Sequence, residues 1–205
     1  MIPEDLELKK RVFKDLDSKT DEDVILASNT SSLPITHIAS ATSKPERVIG
    51  THFFQPVHVM KLVEVVSGVL TSEKTVQVTK NLLEKLERVV VFVKDNGKGF
   101  PSVRLSHALF REAMQIVEEG VASPEDVDKI LKYGYGYPMG PFELTDWVGL
   151  DMRAKIWDEM YKLTNDPKWI VPPLVRLLII SGYRGNPKTR KGSKGGFYEY
   201  FRSFS

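Results

Sequence analysis

His52 and Glu64 are the residues of this sequence whose types and spacing could support proton transfer. A histidine exchanges a proton near neutral pH, and a carboxylate behind its ring fixes the tautomer and stabilises the imidazolium. His52 ends one apolar run, and Glu64 lies in the next. If residues 54–59 form the turn between two paired strands, this spacing can bring the two side chains together. Taken alone, a histidine and a glutamate at this spacing are more often a packed histidine and a surface glutamate.

Ser31 is a second candidate, in the polar turn SNTSS that follows the short β-type run DVILA. Ligands of α/β sheets collect at the carboxyl ends of strands, which favours a binding role for this serine. The same residue types form turns and cap helices, and both roles can hold.

The other histidines carry weaker signals. His37 and His107 fall on predicted helices and are interpreted as surface or packing residues, and His58 follows a proline turn. Because no two of them have the spacing of metal ligands, no metal site is predicted.

The elements that must position these residues change in character along the chain. Residues 1–98 alternate helices and strands, which predicts an α/β domain. The expected elements are helices over 5–16 and 72–86 and strands over 23–27, 48–53, 60–66 and 88–93. The last run, RVVVFV, is nearly continuously apolar and predicts a strand covered on both faces.

A second domain is predicted over residues 99–205, where helical patterns follow the break KDNGKGFP. One long amphipathic helix is expected over 102–120, and Ser123-Pro124 is a strong helix start. Trp147, Trp157 and Trp169 are interpreted as core or subunit contacts. The sequence therefore predicts an all-α domain after the α/β one.

Composition narrows the function further. The 205 residues are 41% hydrophobic and 27% charged with a net charge of +2, which gives no indication of a nucleic-acid or acidic-membrane partner. Cysteine is absent, which excludes disulfides and a cysteine nucleophile and fits a reducing cytoplasm, the predicted location. No apolar run reaches the roughly 18 residues of a membrane span.

The glycine-rich turn G-x-G-x-x-G of dinucleotide-binding domains is missing from the sequence. The run at 23–27 is thus a parallel strand whose usual neighbour is absent. We expect either an exposed sheet edge or a partner that supplies the neighbour.

Four segments in order resemble the 3-hydroxyacyl-CoA dehydrogenase family: ASNTSSLPI, GTHFFQPVHVMKLVEVV, GYGYPMGPFELTDWVGLD and KGSKGGFYEY. The resemblance runs from about Glu4 to Tyr200. It implies an incomplete NAD-binding Rossmann-type domain, without its N-terminal part, followed by a helical domain that forms a homodimer. A separate chain could supply the N-terminal NAD-binding half.

The resemblance implies NAD-dependent oxidation of L-3-hydroxyacyl-CoA to 3-ketoacyl-CoA, in fatty acid β-oxidation or 3-hydroxybutyryl-CoA metabolism. The family's catalytic base and its orienting carboxylate match His52 and Glu64, and its substrate serine matches Ser31. Positions that match cofactor contacts are Asn29, Glu4, Lys9, Gln55 and Lys191. For the charged members of this set, a solvated surface charge is the alternative.

One departure bears on the substrate site. The family commonly reads G-F-I-V-N-R where this chain has GFPSVR, so Val103 replaces an asparagine that contacts substrate. Ser102 could take over that contact if the helix begins one residue out of register. The departure motivates an alternative function, a non-catalytic dimerisation or acyl-CoA-binding module. A third possibility, a sister enzyme acting on a small hydroxy acid, is disfavoured by the HFFQPV string.

Overall fold

The computed structural model of the protein describes residues 2 and 4–203. Contacts divide the chain into two compact units, one up to Val103 and one from Arg104 on. The sequence predicted the domain boundary near Gly99, a few residues before this division. A long helix, Pro101–Glu118, spans the division itself.

The first unit is a four-stranded sheet with helices. Its strands lie in the order β1-β2-β3-β4, with β1 parallel to β2, β2 antiparallel to β3 and β3 parallel to β4. The expected α/β character is therefore confirmed. The elements are α1 (Leu6–Lys19), β1 (Leu26–Ser28), α2 (Ile35–Ala39), a 3-10 turn (Pro45–Arg47), β2 (Val48–Phe53), β3 (Leu62–Ser67), α3 (Glu73–Lys85), β4 (Val89–Lys94) and the start of α4 (Pro101–Glu118).

Local capping explains where two of the helices begin. The Asp5 carboxylate accepts the Leu8 backbone N–H at 2.8 Å ahead of α1. The Ser72 hydroxyl accepts the Thr75 N–H at 3.1 Å ahead of α3, as the SEKT pattern predicts. Each cap satisfies one of the N–H groups that a helix start leaves without a partner.

The register of β2 and β3 decides which side chains share a face of the sheet. His52 is directly opposite Glu64 in the antiparallel pair. Directly opposed residues point to the same side, so both side chains lie on one face. The other face carries a buried cluster under α3, made of Ile49, Val63, Val65 and Leu83.

The strand β4 departs from expectation. The apolar run predicted a strand covered on both faces, but Val89, Val91 and Phe92 are 57%, 43% and 52% exposed. β4 pairs with β3 alone and forms one edge of the sheet. That prediction was wrong because a continuous apolar run identifies a strand without showing whether it is central or at an edge.

The second unit is helical, as expected. It contains the remainder of α4, α5 (Pro124–Lys129) with a π-helical continuation (Ile130–Gly134), α6 (Pro141–Val148), α7 (Leu150–Thr164), a 3-10 turn (Pro167–Trp169), α8 (Pro173–Ile180) and α9 (Phe197–Arg202). The predicted start at Ser123 is confirmed, because its hydroxyl accepts the Asp126 N–H at 3.1 Å. No helix among the described residues is long and apolar enough to cross a membrane.

Aromatic rings build the core of this unit. Phe110 lies within 5.8 Å, centroid to centroid, of Phe142, Trp157 and Phe197. His107 stacks on the fully buried Trp169 at 4.5 Å, and burial lowers the pKa of this histidine to about 4. The packing roles expected for His107 and for these two tryptophans are confirmed. Trp147 is half-buried, and His37 in the first unit is exposed.

Two buried carboxylates hold helix starts in the second unit. Asp128 accepts the N–H groups of Phe142 and Glu143 at 3.0 and 2.8 Å, at the start of α6. Asp146 accepts the N–H of Phe197 at 2.9 Å, at the start of α9. Burial raises the pKa of both, and that of Asp146 rises to about 7.

The Asp146→Asn variant should therefore flatten the pH dependence of stability. Between the ordinary carboxyl pKa of 3.8 and the folded value of about 7, the folded state holds a proton that the unfolded chain has released. The free energy of unfolding consequently falls as the pH rises through this window, by on the order of 3–5 kcal/mol. Asparagine keeps an acceptor for Phe197 without the titration, and Asp128 leaves a smaller slope of the same sign.

Urea unfolding at several pH values measures this slope, followed by tryptophan fluorescence because all three tryptophans lie in the second unit. Asp158→Asn, at an exposed carboxylate paired with Arg176, is the control and should keep the parent slope. Equal slopes for the parent and Asp146→Asn would show that Asp146 is not the source of this pH dependence.

Candidate active site

The two residues predicted to act together do meet. His52 Nδ1 lies 2.7 Å from Glu64 Oε2, and the two side chains are only 13% and 4% exposed. The carboxylate can only accept, so Nδ1 carries the proton of the neutral ring. His52 therefore presents Nε2 as the free, proton-accepting nitrogen, which is the arrangement that a general base requires.

Ser102 completes the surroundings of Glu64. Its backbone N–H donates to Oε1 at 3.0 Å, and its hydroxyl donates to Oε2 at 2.6 Å. Burial raises the pKa of Glu64, but the hydrogen bonds from His52 and Ser102 outweigh it, so the pKa of this carboxyl lies below its usual value. Glu64 thus remains ionised behind the histidine.

Aromatic rings flank the histidine. The Phe54 ring lies 4.9 Å from the imidazole and the Phe100 ring 6.2 Å, centroid to centroid. Phe100 is fully buried and immediately precedes α4. These rings place apolar surface beside the pair, which lowers the local polarity and strengthens its electrostatic interaction.

The polar turn after β1 is tied to the end of β2. Asn29 Oδ1 accepts the Phe53 N–H at 3.0 Å, next to His52 in sequence. Thr30 Oγ1 accepts the Leu33 N–H at 3.0 Å and closes the turn before α2. The turn and the histidine are therefore parts of one connected backbone arrangement.

Glu4 and Lys9 support this turn from α1 and its approach. Glu4 accepts hydrogen bonds from the Thr30 hydroxyl and, at 3.0 Å, from the Ser31 N–H. Its other oxygen lies 3.4 Å from the Lys9 ammonium, whose side chain is 5% exposed. Direct contacts of Glu4 and Lys9 with a cofactor stay predictions, since the structure shows both engaged with the turn or with each other.

The remaining candidates differ in their availability. Ser31 is half-buried, and within the described part of the chain its hydroxyl makes no hydrogen bond. Gln55 is exposed in the loop between β2 and β3. Lys191 is exposed in the second unit, and Val103 is half-buried in α4. The structure thus brings His52, Glu64 and Ser102 into one network and Glu4, Lys9 and Ser31 into a second. Asn29 bonds instead to the end of β2, and within the described residues Gln55 and Lys191 join neither network.

Comparison with known proteins identifies the family of this chain. The family model "3-hydroxyacyl-CoA dehydrogenase, NAD binding domain" matches residues 1–96, and "3-hydroxyacyl-CoA dehydrogenase, C-terminal domain" matches residues 99–200. The chain belongs to the 3-hydroxyacyl-CoA dehydrogenase family. The fold expected from the sequence, an α/β domain followed by a helical one, agrees with this membership.

Similarity to individual members of the family agrees with this membership. A probable 3-hydroxybutyryl-CoA dehydrogenase of Bacillus subtilis is 44% identical over 97% of this chain and 67% of its own length. The mitochondrial hydroxyacyl-coenzyme A dehydrogenase of Homo sapiens is 42% identical over 97% of this chain and 62% of its own length. The crystal structure of (S)-3-hydroxybutyryl-CoA dehydrogenase from Ralstonia eutropha superposes with a TM-score of 0.85 at 37% identity, over 96% of this chain and 69% of that one.

The support that Glu4 gives to the turn can be tested by hydrogen exchange. In Glu4→Ala, the Ser31 N–H and the Thr30 hydroxyl lose their acceptor, and Lys9 is left buried without its partner. We expect the amides of residues 31–33 to exchange roughly 10-fold faster or more, the effect of losing one charge-assisted hydrogen bond.

The matched control is Glu7→Ala, which removes a surface ion pair with Lys10 from the first turn of α1. Exchange at 31–33 should then remain at the parent rate. Parent-like exchange in Glu4→Ala itself would show that the turn holds its shape without this carboxylate.

Proposed function

We propose that this chain carries the catalytic machinery of an NAD-dependent 3-hydroxyacyl-CoA dehydrogenase, with His52 as the base. The observation that carries the proposal is the 2.7 Å contact of His52 Nδ1 with the buried, ionised Glu64. Membership of the family gives the reaction class. The substrate class is an L-3-hydroxyacyl-CoA thioester, oxidised at C3 to the ketone.

The geometry suits the proton transfer of that reaction. The 3-hydroxyl must lose its proton as the hydride leaves C3, and His52 Nε2 is the free nitrogen that can take it. The imidazolium that forms is stabilised by Glu64, which lies on the opposite side of the ring. In the reverse direction the same nitrogen returns the proton to the ketone oxygen.

Ser31 is proposed to hold the substrate oxygen. Its hydroxyl is free within the described residues, while its backbone is fixed by Glu4. A neutral hydroxyl can donate to the substrate oxygen in both oxidation states without adding a charge.

The residues at the polar turn fit the nicotinamide end of NAD. The turn follows the carboxyl end of β1, where α/β sheets bind nucleotides, and Asn29 and Ser31 supply neutral amide and hydroxyl groups there. NAD, when bound, accepts the hydride. Asn29 uses its carbonyl oxygen on Phe53 and keeps its amide N–H groups for a ligand. Glu4 and Lys9 are proposed to shape this site through the turn, and Gln55 and Lys191 to reach the cofactor from loops.

A homodimer formed through the helical unit is part of the proposal. That unit exposes large apolar side chains, among them Leu105, Leu177 and Ile180 at 71%, 61% and 82%. Large exposed apolar side chains of this kind favour association. One chain has a mass of 23.3 kDa, and sedimentation equilibrium should give twice this mass. A monomer at micromolar concentration would contradict the dimer.

The central test follows NADH oxidation with acetoacetyl-CoA. It is run with the purified chain alone and with the part of the Bacillus subtilis relative that lies outside the matched region. Where turnover is seen, His52→Gln should lower kcat/KM by about 100- to 10,000-fold, because the general base is lost. Glu64→Gln should lower it by at least about 100-fold, since the glutamine amide can present a donor to Nδ1 and favour the wrong tautomer.

His58→Gln is the matched control, because it makes the same change at an exposed loop histidine and should leave kcat/KM at the parent value. The absence of NADH oxidation by the folded chain, both alone and with the added segment, would overturn the proposal. The alternative, a non-catalytic dimerisation or acyl-CoA-binding module, would then be favoured, and the replacement of the substrate asparagine by Val103 supports it.

A further inference from the structure

We propose that Ser102 is a positioning residue for the base, and that its hydroxyl sets how strongly Glu64 pairs with His52. The inference rests on the proposed function for its catalytic meaning, but the contact itself can be tested without turnover. It assigns to Ser102 a role on the carboxylate, different from the substrate contact that the sequence suggested.

The contacts of Glu64 show how much of its environment one serine provides. The side chain is 4% exposed and accepts hydrogen bonds from His52 and Ser102. Oε1 receives the Ser102 N–H at 3.0 Å, while Oε2 receives both the Ser102 hydroxyl at 2.6 Å and His52 Nδ1 at 2.7 Å. Because both oxygens are held by the same residue, the carboxylate cannot rotate without breaking one of these bonds.

The helix α4 explains why a serine can do this. Ser102 is the second residue of α4, so its N–H is one of those that a helix start leaves without an internal partner. The positive end of the helix also favours a nearby anion. Within the described residues no lysine or arginine pairs with Glu64, so the helix start and the hydroxyl take the place that such a cation would otherwise fill.

Sharing of Oε2 has a chemical consequence. Two donors on one oxygen compete for its negative charge, so the hydroxyl weakens the attraction that this oxygen offers to an imidazolium. Removing the hydroxyl while keeping the N–H should strengthen that attraction. His52 would then hold its proton more tightly and release it at a higher pH.

The experiment compares Ser102→Thr with Ser102→Val. The two substitutes have nearly the same shape, only threonine keeps a hydroxyl, and both keep the backbone N–H. Titration of the His52 ring nitrogens by ¹⁵N NMR in the purified chain is the measurement. We expect Ser102→Thr to titrate like the parent, and Ser102→Val to titrate roughly half a unit to one unit higher, as the loss of one hydrogen bond to a charged group implies.

Coincident midpoints in the two variants would overturn the proposal and leave the hydroxyl with a packing role. A lower midpoint in Ser102→Val would overturn it as well, because it would mean that Glu64 had moved away from the ring. If the valine side chain prevents folding, Ser102→Ala removes the hydroxyl without adding volume and gives the same comparison with the parent.

The titration also separates this inference from the proposed function. A chain that shows the threonine–valine difference but no NADH oxidation would support the role of Ser102 and contradict the enzyme. If turnover falls in His52→Gln but the two Ser102 variants titrate alike, the enzyme is supported and the role of Ser102 is contradicted. Where turnover is present, the acidic limb of kcat/KM should move to higher pH in Ser102→Val alone.

Discussion

The Glu64 carboxylate is a charge buried in a β-sheet, and such a charge must be paired and hydrogen-bonded for the fold to tolerate it. The antiparallel register of β2 and β3 meets part of this requirement by placing His52 opposite it. The start of α4 meets the rest with two donors from Ser102. A register slip of one residue would turn Glu64 towards the apolar cluster under α3, so the buried charge also specifies the pairing.

The helical unit uses buried carboxylates differently. Asp146 and Glu64 are both buried and both accept helix N–H groups, yet burial dominates at Asp146 and raises its pKa to about 7. The pKa of Glu64 is lowered because a histidine and a hydroxyl are added to the amide. A carboxyl group that accepts only backbone N–H groups can therefore hold a helix start, although it gains a proton easily. A permanent negative charge behind a base requires the additional donors.

Sequence patterns anticipated the parts of this arrangement that depend on local spacing. The strand 48–53 and the Ser72 cap follow from local patterns. The His52–Glu64 contact was expected from a turn over 54–59 together with the family resemblance of the surrounding segment. The contact of Ser102 with Glu64 joins positions 38 residues apart, and that of Glu4 with Ser31 positions 27 apart. Such contacts depend on how helices meet the sheet, which no local pattern records. The exposure of β4 was missed for the same reason, since an apolar strand has the same composition at an edge as in the middle.

The hydrogen bonds of the first unit finally separate groups that support the site from groups left for a ligand. The turn and the end of β2 are held by acceptor oxygens of Asn29, Thr30 and Glu4. Ser102 donates both its N–H and its hydroxyl to Glu64. Buried or half-buried polar groups are usually paired, so the exceptions are informative. The Ser31 hydroxyl and His52 Nε2 are two such exceptions, since neither makes a hydrogen bond within the described residues. One can donate to an oxygen and the other can accept its proton, which are the two functions that oxidation of a secondary alcohol requires of a protein.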